Sequence, residues 1–498
     1  MAFLTRQLML YPNRFLGAYL SVRFIIWTLA IYLTQPTLPL DVLEHLAWGR
    51  EWRVVYSSHP GLPAWIDEAV HIVFNGSPLA LSAIAPFFSC LGMWAVWLLA
   101  RDVIGDKVAA VVAALSLEGV FYFNVAAVEF NHNVAQTAAI ALFFAAVWRA
   151  FERGGGWWAV VGAVAAFAAY AKYSSVLPLA CVLAWSLWST SARACYRQPG
   201  PYIAFMVFAV LMMPNIWALA EINFLPLDFA MERARQAVEW WQLAAFPAYF
   251  VLAQILVCCV SLILCRLAVG RWRRGKQTLP PSINYVAVIS FAPLLLAVLI
   301  SAVMMLRFKS AWGAAMCSFV PLWFVMSHGG PINVHLWLRG LLSVAALSLT
   351  AHLLIFSAAP FITGKAKRVH YPAQQIAAHL DEEWERRFPA HPLKFVIGDK
   401  HAATMVSYYS QWRPSAVINN DWQKTFWASP DELAKAGAVI VWMVDNGKKR
   451  QEQPPIFAKN YPSAWRGKNF QVAWLTAAEL PLLEVGWMVV PPANEGEF

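Results

Sequence analysis

Eleven runs of predominantly apolar residues dominate this chain, near 15–34, 79–100, 108–127, 134–149, 157–171, 176–189, 202–220, 246–265, 283–305, 312–326 and 336–358. A helix crossing a bilayer needs about 20 such residues. In hydrocarbon every backbone N–H and C=O must be satisfied internally, so runs of this kind fold as α-helices. The chain is read as an α-helical polytopic membrane protein with about 11 transmembrane helices. The first run is not a cleaved leader, because Arg23 interrupts it and no small-residue cleavage site follows.

Charge divides the chain. Residues 1–360 carry 22 Lys/Arg and 14 Asp/Glu, whereas the much shorter 361–498 carries 16 and 14. The first region is read as a transmembrane domain and the second as a small soluble α/β domain. Only 13% of all residues are charged and 60% are hydrophobic, against about 25% charged in soluble domains. That excludes a soluble globular enzyme, a disordered chain and a disulfide scaffold. The seven cysteines include no C-x-x-C pair, and none follows residue 317.

With the N-terminus inside, inner loops hold fourteen Lys/Arg, including the run Arg266, Arg271, Arg273, Arg274 and Lys276, and outer loops hold seven. This is the positive-inside pattern. It accounts for the formal charge of +10 without nucleic acid. An odd helix count places residues 361–498 outside. In that tail, Leu393–Ile397, Ser415–Ile418 and Ala438–Val444 read as strands, with helices over His401–Ser410 and Pro430–Ala436 between them. This β-α-β-α-β order predicts a partly parallel sheet. Residues 447–465 read as an exposed loop.

The first outer loop, about 35–78, is the longest polar stretch before residue 360. Asp41 and Glu44 stand at i, i+3, which puts both carboxylates on one helix face. Leu43, Leu46, Ala47 and Trp48 around them suggest a helix lying at the membrane interface. There a carboxylate either is solvated or acts as a base with a raised pKa. His59-Pro60 reads either as a turn or as a donor to an anionic ligand. Glu129 and His132 bear on an acceptor or share a metal; equally, Asn131 or Asn133 caps the next helix. Lys172, Arg307 and Lys309 are outer-face cations: they snorkel to the interface or pair with a lipid phosphate. Arg233 and Arg235, in a loop with Trp240 and Trp241, are weaker candidates for the same work. Arg23 and Glu118 fall inside helices and satisfy helix–helix contacts. No D-x-D motif and no Ser/His/Asp signature is present.

A D-x-x-E loop after the first helix, the His59-Pro60 turn, Ala171-Lys172-Tyr173 and the late Arg307-x-Lys309-x-x-Trp312 loop form one ordered set. This set resembles the GT-C membrane glycosyltransferases of the dolichyl-phosphate-mannose–protein mannosyltransferase superfamily. It is most similar to the bacterial lipid A and lipopolysaccharide transferases for aminoarabinose and galacturonic acid. Asp41, Glu44, Leu46 and Trp48 fit the D-E-x-E-x-L-x-W pattern of the latter. The resemblance covers about residues 1–360, most closely 35–180. It departs at Val42, where the family has an acid, and at Gly61, where the family has a second proline.

The resemblance implies an inverting glycosyltransferase in the bacterial inner membrane, with its C-terminal domain in the periplasm. The donor is a polyprenyl-phosphate sugar and the acceptor is lipid A or the lipopolysaccharide core. Asp41 is the implied base, with Glu44 beside it. His59, Lys172, Arg307 and Lys309 are implied at the donor phosphate. A divalent metal is possible and no other cofactor is implied. The competing readings are a protein O-mannosyltransferase, differing in acceptor, and a polyprenyl-lipid flippase, which needs no base.

Overall fold

The apolar runs fold as helices whose ends are set by caps and by buried charge. The structure, a computed structural model, describes residues 1–235, 239, 241–269, 282–328, 330–444 and 451–493. Arg271, Arg273, Arg274 and Lys276 of the inner-loop run lie outside the described residues, as do Trp240 and positions 447–450 of the expected loop.

Among the described residues, seven helices are long and apolar enough to span a membrane: Pro12–Thr34, Pro78–Ile104, His132–Arg153, Gly200–Glu221, Ala244–Val269, Ser282–Met304 and Val334–Thr363. Two bent pairs, Tyr173–Trp188 with Thr190–Arg197 and Ser310–Cys317 with Val320–His328, raise the number to nine if each is one span. Trp157–Ala171 is apolar but shorter. The sequence predicts eleven, and the 108–127 run departs from that prediction. Its helix, Lys107–Leu115, starts on the Asp106 side-chain cap and stops after nine residues; short 3₁₀ turns follow at Ser116–Gly119 and Phe121–Phe123.

Buried charge explains the break. Glu118 is fully buried, and Arg23 Nε donates to it across 2.7 Å. Arg23 also donates to the Phe123 carbonyl, and the Asn124 amide donates to the Glu118 carbonyl. A carboxylate in apolar surroundings needs such a partner, and the turn bends the chain to supply it. At Gly119 a Cβ would overlap the backbone of Ser261, so only glycine admits this approach.

The described chain forms two compact units. One comprises Met1–Leu29, Ser58–Pro63 and Ser82–Ala351. The other comprises Ala30–Ser57, Ala64–Leu81 and His352–Phe498. The second unit therefore folds most of the 35–78 loop together with the C-terminal tail.

The tail contains the expected β-α-β-α-β order: β1 Phe395–Gly398, helix Lys400–Tyr409, β2 Ser415–Ile418, helix Pro430–Ala436 and β3 Ala438–Met443. β1 pairs in parallel with both β2 and β3. Three antiparallel strands complete the sheet: β4 Trp465–Arg466, β5 Phe470–Val472 and β6 Leu483–Val490, with β6 on β3. The order is β2-β1-β3-β6-β4, and β5 also pairs with β6. β3 is buried along its whole length, as a central strand covered on both faces should be. Amphipathic helix Ala373–Arg387 turns Ile376, Ala377, Leu380 and Trp384 inward.

Candidate functional site

Two charged clusters stand out, one in each unit. In the unit that holds the tail, helix Leu40–Gly49 carries Asp41 in its first turn, where a negative charge faces the positive end of the helix dipole. Sequence patterning suggests an interfacial helix, but every residue from Val42 to Gly49 is buried. Protein covers the apolar faces instead of lipid: helix Lys400–Tyr409 packs against it, and Trp48 stacks on Tyr56.

Each acid near this helix is met by a specific group. Lys400 Nζ lies 2.6 Å from Glu44 Oε2. On helix Leu62–Val73, Asp67 and Glu68 are buried. His45 Nδ1 lies 2.7 Å from Asp67 Oδ2, with neither side chain exposed. Burial, then the nearby charges of Asp41 and Glu68, raises the Asp67 carboxyl well above its ordinary range. Burial, then Lys400, pushes His45 down to about 3. Both effects favour the neutral forms of the two groups. Arg413 grips Glu68 with two bonds of 2.8 Å and donates to the Leu46 carbonyl at 3.2 Å. Ser415 donates to Glu51, and the Leu38 N–H donates to Tyr409 Oη at 3.1 Å. Asp41, half-buried, sits at the start of this assembly.

The other unit gathers cations. Lys172 follows helix Trp157–Ala171 and is buried; its Nζ donates to Asn133 Oδ1 at 2.6 Å. Asn131, not Asn133, caps helix His132–Arg153, accepting from the N–H groups of Asn133 and Val134. That leaves the Asn133 side chain for the lysine. Burial, then the charge of Arg233, pushes Lys172 down to about 7.

Leu306 to Lys309 is extended, with Leu306 and Phe308 buried and Arg307 and Lys309 exposed. Period-two alternation of this kind anchors a segment while presenting its polar residues. The Arg307 N–H donates to the Ala234 carbonyl at 3.0 Å, which ties this segment to the end of helix Leu225–Ala234. Burial, then Arg233 and Arg307, lowers the Lys309 amine. Arg233 thus acts on both Lys172 and Lys309. His59 packs on His132 with ring centroids 3.7 Å apart, and on Phe229, whose ring also lies under Arg233. Tyr122 hydrogen-bonds Ser310 at 2.7 Å, and a cavity of about 140 Å³ opens between Tyr122, Asn131, Asn133, Thr137, Ala311 and Ala314.

The structure therefore brings Lys172, Lys309, Arg307 and Arg233 into one electrostatic group, with His59 packed on Phe229 of helix Leu225–Ala234 and His132 stacked on His59. Among the described residues, no three His, Cys, Asp or Glu side chains form a metal-ligand set. Sequence reasoning ranks Arg233 too low and overlooks Asp67, Glu68, Lys400 and Arg413. One signal is visible in retrospect: Asp67-Glu68 interrupts an otherwise apolar helix.

Residues 58–217 match the family described as dolichyl-phosphate-mannose-protein mannosyltransferase. No curated protein sequence matches the chain. The whole chain is similar in fold to ArnT from Cupriavidus metallidurans in the apo state, with a TM-score of 0.59 and 13% identity over 98% of this chain and 99% of that one. It is also similar to ArnT bound to undecaprenyl phosphate, with a TM-score of 0.57 and 12% identity over 97% of this chain and 99% of that one. The arabinofuranosyltransferase AftD from Mycobacteria is similar over 96% of this chain and 40% of its own length, at 13% identity and a TM-score of 0.51. The chain has the GT-C fold, similar to that of ArnT, and its residues 58–217 match the mannosyltransferase family.

Proposed function

We propose that this protein transfers a sugar, a pentose or hexose, from a polyprenyl-phosphate carrier to a hydroxyl of lipid A or the lipopolysaccharide core. The reaction takes place at the periplasmic face of a bacterial inner membrane. The acceptor oxygen attacks the anomeric carbon as the bond from that carbon to the phosphate oxygen breaks, with inversion. The acceptor proton passes to the Asp41 carboxylate, and polyprenyl phosphate departs as an anion. Lys172, Arg233, Arg307 and Lys309, with His59, stabilise the charge that develops on that leaving group. Glu44 supports the Asp41 helix through its ion pair with Lys400. No step is routed through a metal.

The observation that carries this reading is the convergence of Lys172 and Lys309, from two inter-helix segments, on Arg233 at the end of helix Leu225–Ala234. Like charges repel, and a group of this kind suits a dianionic or diester phosphate. Similarity over the full chain to ArnT, itself solved with undecaprenyl phosphate, supports the donor class. The mannosyltransferase match over 58–217 favours a second reading, in which the acceptor is a protein hydroxyl.

The test uses purified protein in liposomes with a labelled polyprenyl-phosphate sugar and, in parallel, lipid A and a Ser/Thr-rich peptide. Label on lipid A supports the first reading, and label on the peptide supports the second. Transbilayer movement of the donor without a covalent product supports a flippase and defeats both.

A further inference from the structure

We propose that the C-terminal tail sets the direction of Asp41: Lys400 and Arg413, together with Asp67, pin helix Leu40–Gly49 at three consecutive residues and are positioning residues for proton removal. The inference rests on the reading of Asp41 as the base. Glu44 is held by Lys400, His45 by Asp67, and the Leu46 carbonyl by Arg413. Successive side chains on a helix point about 100° apart. Contacts at Glu44 and His45 therefore fix its rotation. The Leu46 carbonyl, in the last turn, points along the axis toward the C-terminus and takes only a long 3.4 Å bond from the Arg50 N–H. Arg413 at Leu46 fixes the axial position and adds a positive charge at the negative end of the dipole. With rotation and translation both fixed, the direction of Asp41, one turn before His45, is fixed as well.

Arg413 also joins the two helices of the first loop. Its guanidinium takes both Glu68 oxygens while touching Leu46, in the fork geometry that only arginine offers. The helices approach closely there: a Cβ at Gly49 would meet the Ala64 carbonyl and Glu68 Cβ. The Arg413 backbone is left-handed, at φ 45°. A non-glycine residue is costly in that region and persists where its contacts over-determine it. Lys400 follows Asp399, whose side chain caps the helix Lys400–Tyr409. Lys400 thus stands on a capped helix, and Arg413 stands two residues before strand β2.

The experiment compares wild type with Lys400→Met, Lys400→Arg and Arg413→Gly in the full-length protein. It reads kcat, donor KM, thermal midpoint and hydrogen exchange across residues 40–49. Lys400 is half-exposed, so its variants fold; glycine keeps the left-handed backbone at 413 but leaves buried Glu68 unpaired, so where Arg413→Gly does not fold the Lys400 pair decides alone. Pinning predicts that Lys400→Met and Arg413→Gly each lower kcat by about 10- to 100-fold with donor KM nearly unchanged, and speed exchange over 40–49. Lys400→Arg, which keeps the ion pair, restores kcat. A lower midpoint with unchanged kcat overturns the proposal, because the contacts would then be structural ties only. Unchanged exchange over 40–49 overturns it too. If wild type transfers no sugar, the reading of Asp41 fails, and exchange alone still decides whether the helix is pinned.

Discussion

The two clusters treat charge in opposite ways. Around helix Leu40–Gly49 the acids are partnered one by one: Glu44 with Lys400, Asp67 with His45, Glu68 with Arg413. In the other unit cations gather beside cations. Among the described residues no carboxylate lies within ion-pair distance of Lys172, Arg233 or Lys309. Buried charge that serves architecture is neutralised locally, because an unpaired ion in low dielectric is costly. On the proposed function, the charge of the cation cluster is left for an anionic ligand to neutralise; burial, then Arg233, depresses the Lys172 amine. Arg23–Glu118 belongs with the first kind, although it sits in the membrane unit.

The sharpest way to break this contrast is to exchange roles between Asp41 and Glu44. Asp41→Asn should reduce transfer by about 10⁴-fold in a labelled-sugar assay, while the protein inserts and folds normally. Glu44→Gln should cost far less, since its carboxylate only braces Lys400. Equal losses would erase the distinction between a reacting acid and a bracing one.

The next effect is on stability. Arg23→Leu leaves Glu118 buried without its partner, at a cost of about 3–5 kcal/mol. Adding Glu118→Leu should recover most of that loss. Thermal unfolding in detergent measures both, and a mild single variant would show that the pair is not architectural.

Removing cations should act on the donor instead. Arg233→Ala with Lys309→Ala should lower kcat/KM for the polyprenyl-phosphate sugar by about 10²-fold, with little change in the unfolding midpoint. A drop in midpoint without a kinetic change would move this cluster into the architectural class.

The smallest effect is a pH dependence of the tail. His401 is buried against Tyr371, and burial pushes it down to about 4. Below about pH 6.5 the unfolded chain takes a proton that the folded chain refuses. Stability is therefore complete above that pH and falls as pH drops toward 4. Between pH 6.5 and 5 the loss is about 2 kcal/mol. His401→Gln should flatten the unfolding midpoint over that range, and a profile unchanged by the substitution would clear His401 of the role.

Much of the fold is legible along the chain. Apolar runs mark helices because each residue's transfer to lipid is local and additive. The β1–α–β2–α–β3 core of the tail is legible for the same reason: Phe395–Gly398 and Ala438–Met443 are short buried runs between turn residues. Strands β4 to β6 are not legible, because β4 and β5 are short, exposed edge segments whose pairing only β6 defines. Glu118 is a single acid in an apolar run, and nothing local says that Arg23 will bend the chain to reach it. In the site, Lys172, Arg307 and Lys309 are visible as cations in loops between apolar segments, but Arg233 looks like one more loop arginine until helix Leu225–Ala234 docks on Leu306–Phe308.

The order of residues alone determined that this chain carries membrane-spanning helices, roughly where most of them lie, and where the apolar region gives way to a charged tail with a sheet. Those properties depend on hydrophobicity and hydrogen bonding within a segment. Tertiary structure decided which acids are held and by what. Glu44 and Lys400, like Glu68 and Arg413, are far apart along the chain. Coulomb attraction depends on distance in space, which the fold alone supplies.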